Sequence, residues 1–320
     1  MNANDAIGGY FELETARGCG LHPQAAALNS GRHSLEYILR RRENVARVYL
    51  PYYTCSVVLQ PLQRLGIPHA FYHLDEQLHP VDLPELTEGE LVIGTNYFGI
   101  SGAMLQDMAA RFGNRLLVDN AQALYDPPME GIDTFYSPRK FFGVPDGGYA
   151  YCAAGAATQL PQDSSWQLMQ HLLQRVDEGP ESGYAAFRQN SETLAQKPIM
   201  RMSRLTQRLL GGINYAAAAE ARRANYSALH RALGNSNRLH ADLPADAVPM
   251  VYPYWVENGA QLRQRLIANR VFVATYWPNV LEWSAPGTLE HELATNLLAL
   301  PIDQRYGAGE MQRILSIILG

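Results

Sequence analysis

Ile132-Asp133-Thr134-Phe135-Tyr136-Ser137-Pro138-Arg139-Lys140-Phe141-Phe142-Gly143-Val144-Pro145-Asp146-Gly147-Gly148-Tyr149 is an apolar run, a turn carrying a serine and a lysine, and a glycine pair opening the next run. A lysine in a turn is ordinarily a solvated charge. Here Phe141 and Phe142 follow Lys140. Desolvation by such neighbours disfavours the ammonium and leaves the free amine that attack on a carbonyl requires. Ser137, three residues earlier, offers a hydroxyl to a phosphate held above the same turn. The expectation is that Lys140 forms a Schiff base.

Composition sharpens this reading. The chain's lysines are Lys140 and Lys197 alone, against 24 arginines. Positive charge has been assigned almost everywhere to the guanidinium, which forms no Schiff base. Lys197 precedes Pro198 and reads as a surface charge.

Working outward, the preceding apolar run is Leu116-Leu117-Val118-Asp119-Asn120-Ala121-Gln122-Ala123. A carboxylate at the end of a buried strand is costly unless it has a partner. In open α/β sheets the carboxyl ends of the strands face the ligand crevice. Asp119 is therefore either the cap of a following helix or the partner of a protonated pyridine nitrogen. Further upstream, Leu28-Asn29-Ser30-Gly31-Arg32-His33-Ser34-Leu35 reads as a small turn opening a helix, a place where free N–H groups receive phosphate. Each motif has an ordinary structural explanation. Their order along one sheet (cradle, carboxylate, lysine) points to pyridoxal 5′-phosphate (PLP).

The wider pattern fits an α/β chain. Strands are predicted at Val45–Leu50, His69–Tyr72, Leu91–Thr95, Arg115–Asp119, Ile132–Tyr136 and Tyr149–Ala153, with helices at His33–Arg42, Ser56–Leu65 and Met104–Phe112 between the earlier ones. Such alternation implies a mostly parallel sheet covered by helices. Residues 155–240 read as helical, broken at Gly179-Pro180 and Gly211-Gly212. A tail of strand Val248–Val256, helix Ala260–Asn269, strand Val271–Tyr276 and helix Glu310–Leu319 suggests a small appended α/β unit. The division expected is a large domain at 1–212 and a small one at 213–320.

The chain has 320 residues, 47% of them hydrophobic, and a formal charge of −5. That balance gives no electrostatic reason to expect nucleic acid or an anionic membrane as partner. Arg40-Arg41-Arg42 closes a helical pattern, where it complements the helix dipole. Cys19, Cys55 and Cys152 form no CxxC pair, and the histidines lack metal-ligand spacing. Met1–Gly8 lacks a basic-then-apolar leader, and no apolar run reaches membrane-spanning length, so a cytoplasmic setting is expected.

These segments resemble the DegT/DnrJ/EryC1/StrS sugar aminotransferases, of PLP fold type I. Ser30–Leu35 resembles the family's phosphate-binding helix start, Tyr49–Thr54 its "VP.YT" strand and Asn96-Tyr97-Phe98-Gly99 its "HLYG" turn. Val118–Ala123 is similar to "EDAAQA", and Ser137–Gly148 to the lysine loop ending in "GDGG". Val273–Pro278 and Leu300–Asp303 resemble small-domain signatures.

The resemblance implies a seven-stranded-type sheet between helices, a small C-terminal domain, PLP as cofactor and a homodimer. It makes Lys140 the aldimine lysine and proton shuttle, and Asp119 the partner of the pyridinium nitrogen. Gln122 would lie near the cofactor's phenolic oxygen, and Ser30, Gly31, Arg32 and Ser137 would hold the phosphate. The family's ring-stacking aromatic falls at or near Cys55, so Tyr53 or Tyr52 would supply the ring. The "GYNYRM" segment is reduced to Gly211-Gly212-Ile213-Asn214-Tyr215-Ala216, leaving Asn214 to reach the partner's phosphate. The reaction implied is transfer of an amino group, from glutamate by family habit, to a keto-sugar or related carbonyl compound. Other carbanion chemistry (lyase or dehydratase) and a non-catalytic binding or regulatory role are the alternatives; the dehydratase branch carries histidine where Lys140 stands.

Overall fold

In the computed structural model, described for residues 7–153, 157, 159–240 and 243–320, a seven-stranded sheet organises the first half of the chain. Its strands are β1 (Ala26–Leu28), β2 (Arg47–Pro51), β3 (His69–Tyr72), β4 (Glu90–Thr95), β5 (Leu116–Asn120), β6 (Asp133–Tyr136) and β7 (Gly148–Tyr151), in spatial order β1-β7-β6-β5-β4-β2-β3. The five strands from β2 to β6 run parallel, and β7 and β1 are antiparallel to their neighbours. All of β4 and β5 is buried, as expected of parallel strands covered on both faces. One face carries the helix Gly31–Leu39, whose Leu35 and Ile38 pack with Val48, Ile93 and Leu117. The other receives the helix Gly102–Phe112. That helix lies so near β4 that a Cβ at Gly94 would stand 2.7 Å from Leu105 and 2.9 Å from Met108.

Helices Gln170–Asp177, Tyr184–Gln196, Arg204–Gly211 and Tyr215–Leu233 follow, separated at both predicted glycine breaks. Two further strands, β8 (Tyr252–Trp255) and β9 (Leu297–Leu300), pair antiparallel, and Tyr226, Leu229, Leu262, Leu266, Met311 and Ile314 build a core around them. The strand expected at Val271–Tyr276 does not form. That segment meets β9 through the single Ala274–Ala299 bridge, and its buried Val271 and Val273 pack into the core around β8 and β9 without extending the ladder. β1 and β9 were not anticipated: three or four residues of Ala and Leu have no strand signature of their own. The first helix ends at Leu39, short of the arginine run, so no arginine lies in its last turn. Arg40 follows as its C-cap and pairs with Glu36 at 2.7 Å, and Arg42 pairs with Asp133 at 2.6 Å.

Among the described residues, no helix is long and apolar enough to cross a membrane.

Candidate active site

The parallel strands deliver their carboxyl ends to one edge of the sheet, where Asp119 lies at the end of β5 and the turn carrying Ser137 and Lys140 follows β6. Register places Thr95 beside Asp119, and Asp119 beside Phe135. The turn after β6 is a single 3-10 turn, Pro138–Lys140, closed by a bond from the Lys140 N–H to the Ser137 carbonyl. Gly31 lies directly against this turn: a Cβ on it would stand 3.2 Å from the Ser137 Cβ. Gly147, with φ +124°, and Gly148 let β7 pass beneath Ser30 and Gly31. Ser30, Gly31 and Ser137 thus form one glycine-floored cup at the start of the Gly31–Leu39 helix. Of the first-turn N–H groups, that of His33 is taken by the Ser30 hydroxyl, while those of Gly31 and Arg32 have no acceptor within the helix and are left for a ligand in the cup.

Asp119 is buried, and its Oδ1 accepts from the Ala121 N–H at 2.8 Å. Burial lifts its carboxyl to about 6, against the opposing pulls of the Ala121 N–H and the Lys140 charge. Asp119 lies at the carboxyl end of β5 and pairs with Phe135 of β6, the strand that runs into the Lys140 turn. Gln122 is buried as well. Its Oε1 accepts from the Phe98 N–H at 2.8 Å, while its Nε2 is buried without a partner. Phe98 is held at φ +58°, a conformation that costs an L-residue about 1–2 kcal/mol. The bonds from its N–H to Gln122 and from the Met250 N–H to its carbonyl hold it there.

These features match what PLP needs: a carboxylate for a ring nitrogen, an unspent amide donor for an oxyanion, and a cup for a phosphate. Other expected residues do not match. Arg32 turns away from the cup, donating to Gln60 Oε1 at 2.6 Å and to the Ser191 carbonyl at 3.5 Å, so only its backbone is left for a phosphate. The Ser30 hydroxyl is occupied as the helix cap, accepting from the His33 N–H and lying 2.9 Å from His33 Nδ1. Tyr53 is fully buried, its ring packed on Trp277 and Tyr97 at 5.1 and 5.7 Å. Tyr52 stacks instead on Phe71 and His73. Asn214 is exposed and caps its own helix by accepting from the Ala217 N–H at 3.0 Å.

The desolvation expected of Lys140 is also absent. Phe141 and Phe142 point into the core while the lysine is exposed, because successive side chains of a tight turn diverge. Lys197, read as a surface charge, is half-buried and paired with the buried Asp163 at 2.7 Å. Asp146, of the "GDGG" resemblance, is wholly buried and holds Ser203, the N-cap of the helix Arg204–Gly211. It accepts from the Ser203 N–H and hydroxyl at 2.9 and 2.7 Å and from the Thr206 hydroxyl.

Two groups near the lysine were missed. The Tyr276 ring centroid lies 5.3 Å from Lys140 Nζ. The buried Arg222 and Gln304 both donate to the Phe141 carbonyl, at 3.3 and 3.1 Å, clamping the peptide that follows the lysine. Only the aromatic-rich Val273–Pro278 segment hinted at the first, and nothing in the sequence marks the second.

No family model matches the chain, and no curated protein matches its sequence. Solved structures do. A DegT DnrJ EryC1 StrS aminotransferase from Brucella abortus superposes with a TM-score of 0.61 at 18% identity, covering 92% of this chain and 85% of the other. DesI, solved with its TDP-sugar product, gives 0.60 at 16%, covering 92% and 79%. NtdA from Bacillus subtilis, with bound cofactor PMP, gives 0.63 at 14%, covering 93% and 73%. The chain has the PLP fold type I of the DegT/DnrJ/EryC1/StrS aminotransferases. At these identities the likeness speaks to fold; what the site does rests on its residues.

Proposed function

We propose that the chain is a PLP-dependent aminotransferase that moves an amino group from an amino acid, glutamate by family resemblance, to a keto-sugar or related carbonyl compound. The observation that carries this is the buried Asp119 at the carboxyl end of β5 beside β6, the strand that runs into the Lys140 turn, with a cup floored by Gly31 and Gly148 against that turn. Bound PLP would supply an electron sink that stabilises negative charge at the substrate carbon. Asp119 would keep the ring nitrogen protonated. Gln122 Nε2 would donate to the phenolic oxygen, and the backbone N–H groups of Gly31 and Arg32 with the Ser137 hydroxyl would hold the phosphate. Lys140 Nζ would carry the proton of the 1,3-shift between the substrate carbon and the cofactor's aldehyde carbon, which its exposure allows. We further propose a homodimer and the division into 1–212 and 213–320, the exposed Asn214 at its helix start being free to approach a partner subunit.

Half-transamination tests the reading. Protein incubated with PLP and glutamate should release 2-oxoglutarate in proportion to enzyme, and Lys140→Ala should release none. A second reading, a binding protein descended from such enzymes, draws on Cys55 where the family has an aromatic. Cofactor bound without any keto-acid release would favour it.

A further inference from the structure

The turn Tyr53–Ser56, where the stacking aromatic is missing, is covered by a segment from the far end of the chain. Asn279 reaches it twice, accepting from the Ser56 N–H at 3.2 Å and donating to the Thr54 carbonyl at 2.9 Å, so its amide brackets Cys55. Trp277 is anchored by its edge contact with Tyr53 at 5.1 Å. Between these anchors and the Ala274–Ala299 bridge, Tyr276 is held with its ring facing Lys140, centroid to Nζ 5.3 Å, and 6.2 Å from Phe98, whose N–H is tied to Gln122. A cation within about 6 Å of an aromatic centroid is attracted by the ring's quadrupole.

We infer that Tyr276 is a positioning residue that holds the Lys140 amine and furnishes, beside that lysine, the aromatic ring that Cys55 does not. The inference rests on the reading of Lys140 as the cofactor lysine. The ring comes from residues outside the large sheet, so the lysine is steered by the same segment that closes over the turn. A ring alone suffices for this; the phenol oxygen is not required.

The chain's two lysines make the test direct. Protein labelled with 13C at lysine Cε gives one signal for Lys140 and one for Lys197, assigned with Lys197→Arg. In cofactor-free protein the Lys140 signal should be shifted upfield by the ring face, keep that shift in Tyr276→Phe and lose it in Tyr276→Leu. The Lys197 signal, set by Asp163, should stay in place in both and so report intact folding. With PLP added, Tyr276→Leu should bind about tenfold more weakly than wild type, the loss of one good aromatic contact. A Lys140 signal unchanged in Tyr276→Leu, or unchanged PLP affinity in that variant, would overturn the inference. Wild type that takes up no PLP would instead remove the cofactor reading, while the cofactor-free lysine signals still decide the contact.

Discussion

Gly148 passes so close beneath Ser30 that a Cβ on it would stand 2.6 Å from the Gly31 nitrogen and nearer still to the Ser30 carbonyl. The cup exists because two backbones touch there. Gly148→Ala must push β7 away from the helix start, and overpacking of this kind costs about 1–3 kcal/mol. Urea unfolding should show that loss, together with weakened PLP binding. A variant of wild-type stability would mean the two segments are not in contact.

Asp119 gives the fold a particular pH dependence. Its carboxyl is raised from 3.8 to about 6 by burial, so the folded state holds the proton more tightly than the unfolded one. That contribution is complete below about pH 4 and is lost as pH rises through about 6. At the extreme it amounts to about 3 kcal/mol. Without cofactor, Asp119→Asn should therefore melt higher than wild type at pH 8 and no higher at pH 4, read by thermal melts across that range. Equal gains at both ends would mean the carboxylate is not desolvated.

Arg222 is 1% exposed and donates to the carbonyls of Pro249, Met250 and Phe141 and to Gln304 Oε1. Arg222→Met should cost about 3 kcal/mol, because it strands buried acceptors. It should also loosen the lysine turn through the Phe141 carbonyl. Amide exchange at residues 140–142 would report this, faster in the variant under conditions where the β5 amides remain protected.

The two cationic and hydroxyl candidates for the phosphate should separate. Arg32→Met should leave PLP affinity within about twofold, whereas Ser137→Ala should weaken it about tenfold, the worth of one hydrogen bond to a charged group. Fluorescence titration with PLP measures both. The reverse order would return Arg32 to the phosphate.

What could be read in the sequence follows from which physics is local. The strands from β2 to β7 were legible because apolar runs and turns are local patterns, and β4 and β5 are buried throughout. Asp119 and Lys140 were legible because a carboxylate ending an apolar strand and one of two lysines in a turn are unusual in themselves. Side-chain direction was not. Arg32 turns toward Gln60, 28 residues on, and Tyr53 turns toward Trp277 in the docked tail segment. Lys140 escapes the phenylalanines beside it because neighbours in sequence diverge in a tight turn. Val271–Tyr276 has the composition of a strand, yet it makes one bridge to β9 and packs Val271 and Val273 into the core beside it, so side-chain burial is met there without a strand ladder.

The central claim is that Lys140 anchors PLP. The most direct measurement is the visible absorption spectrum of the protein with added PLP, for wild type, Lys140→Ala and Lys197→Arg, before and after borohydride. Once unbound PLP has been removed, the account predicts a band in wild type and Lys197→Arg that borohydride erases, and no such band in Lys140→Ala. A featureless wild-type spectrum, or a band that survives in Lys140→Ala, would contradict it.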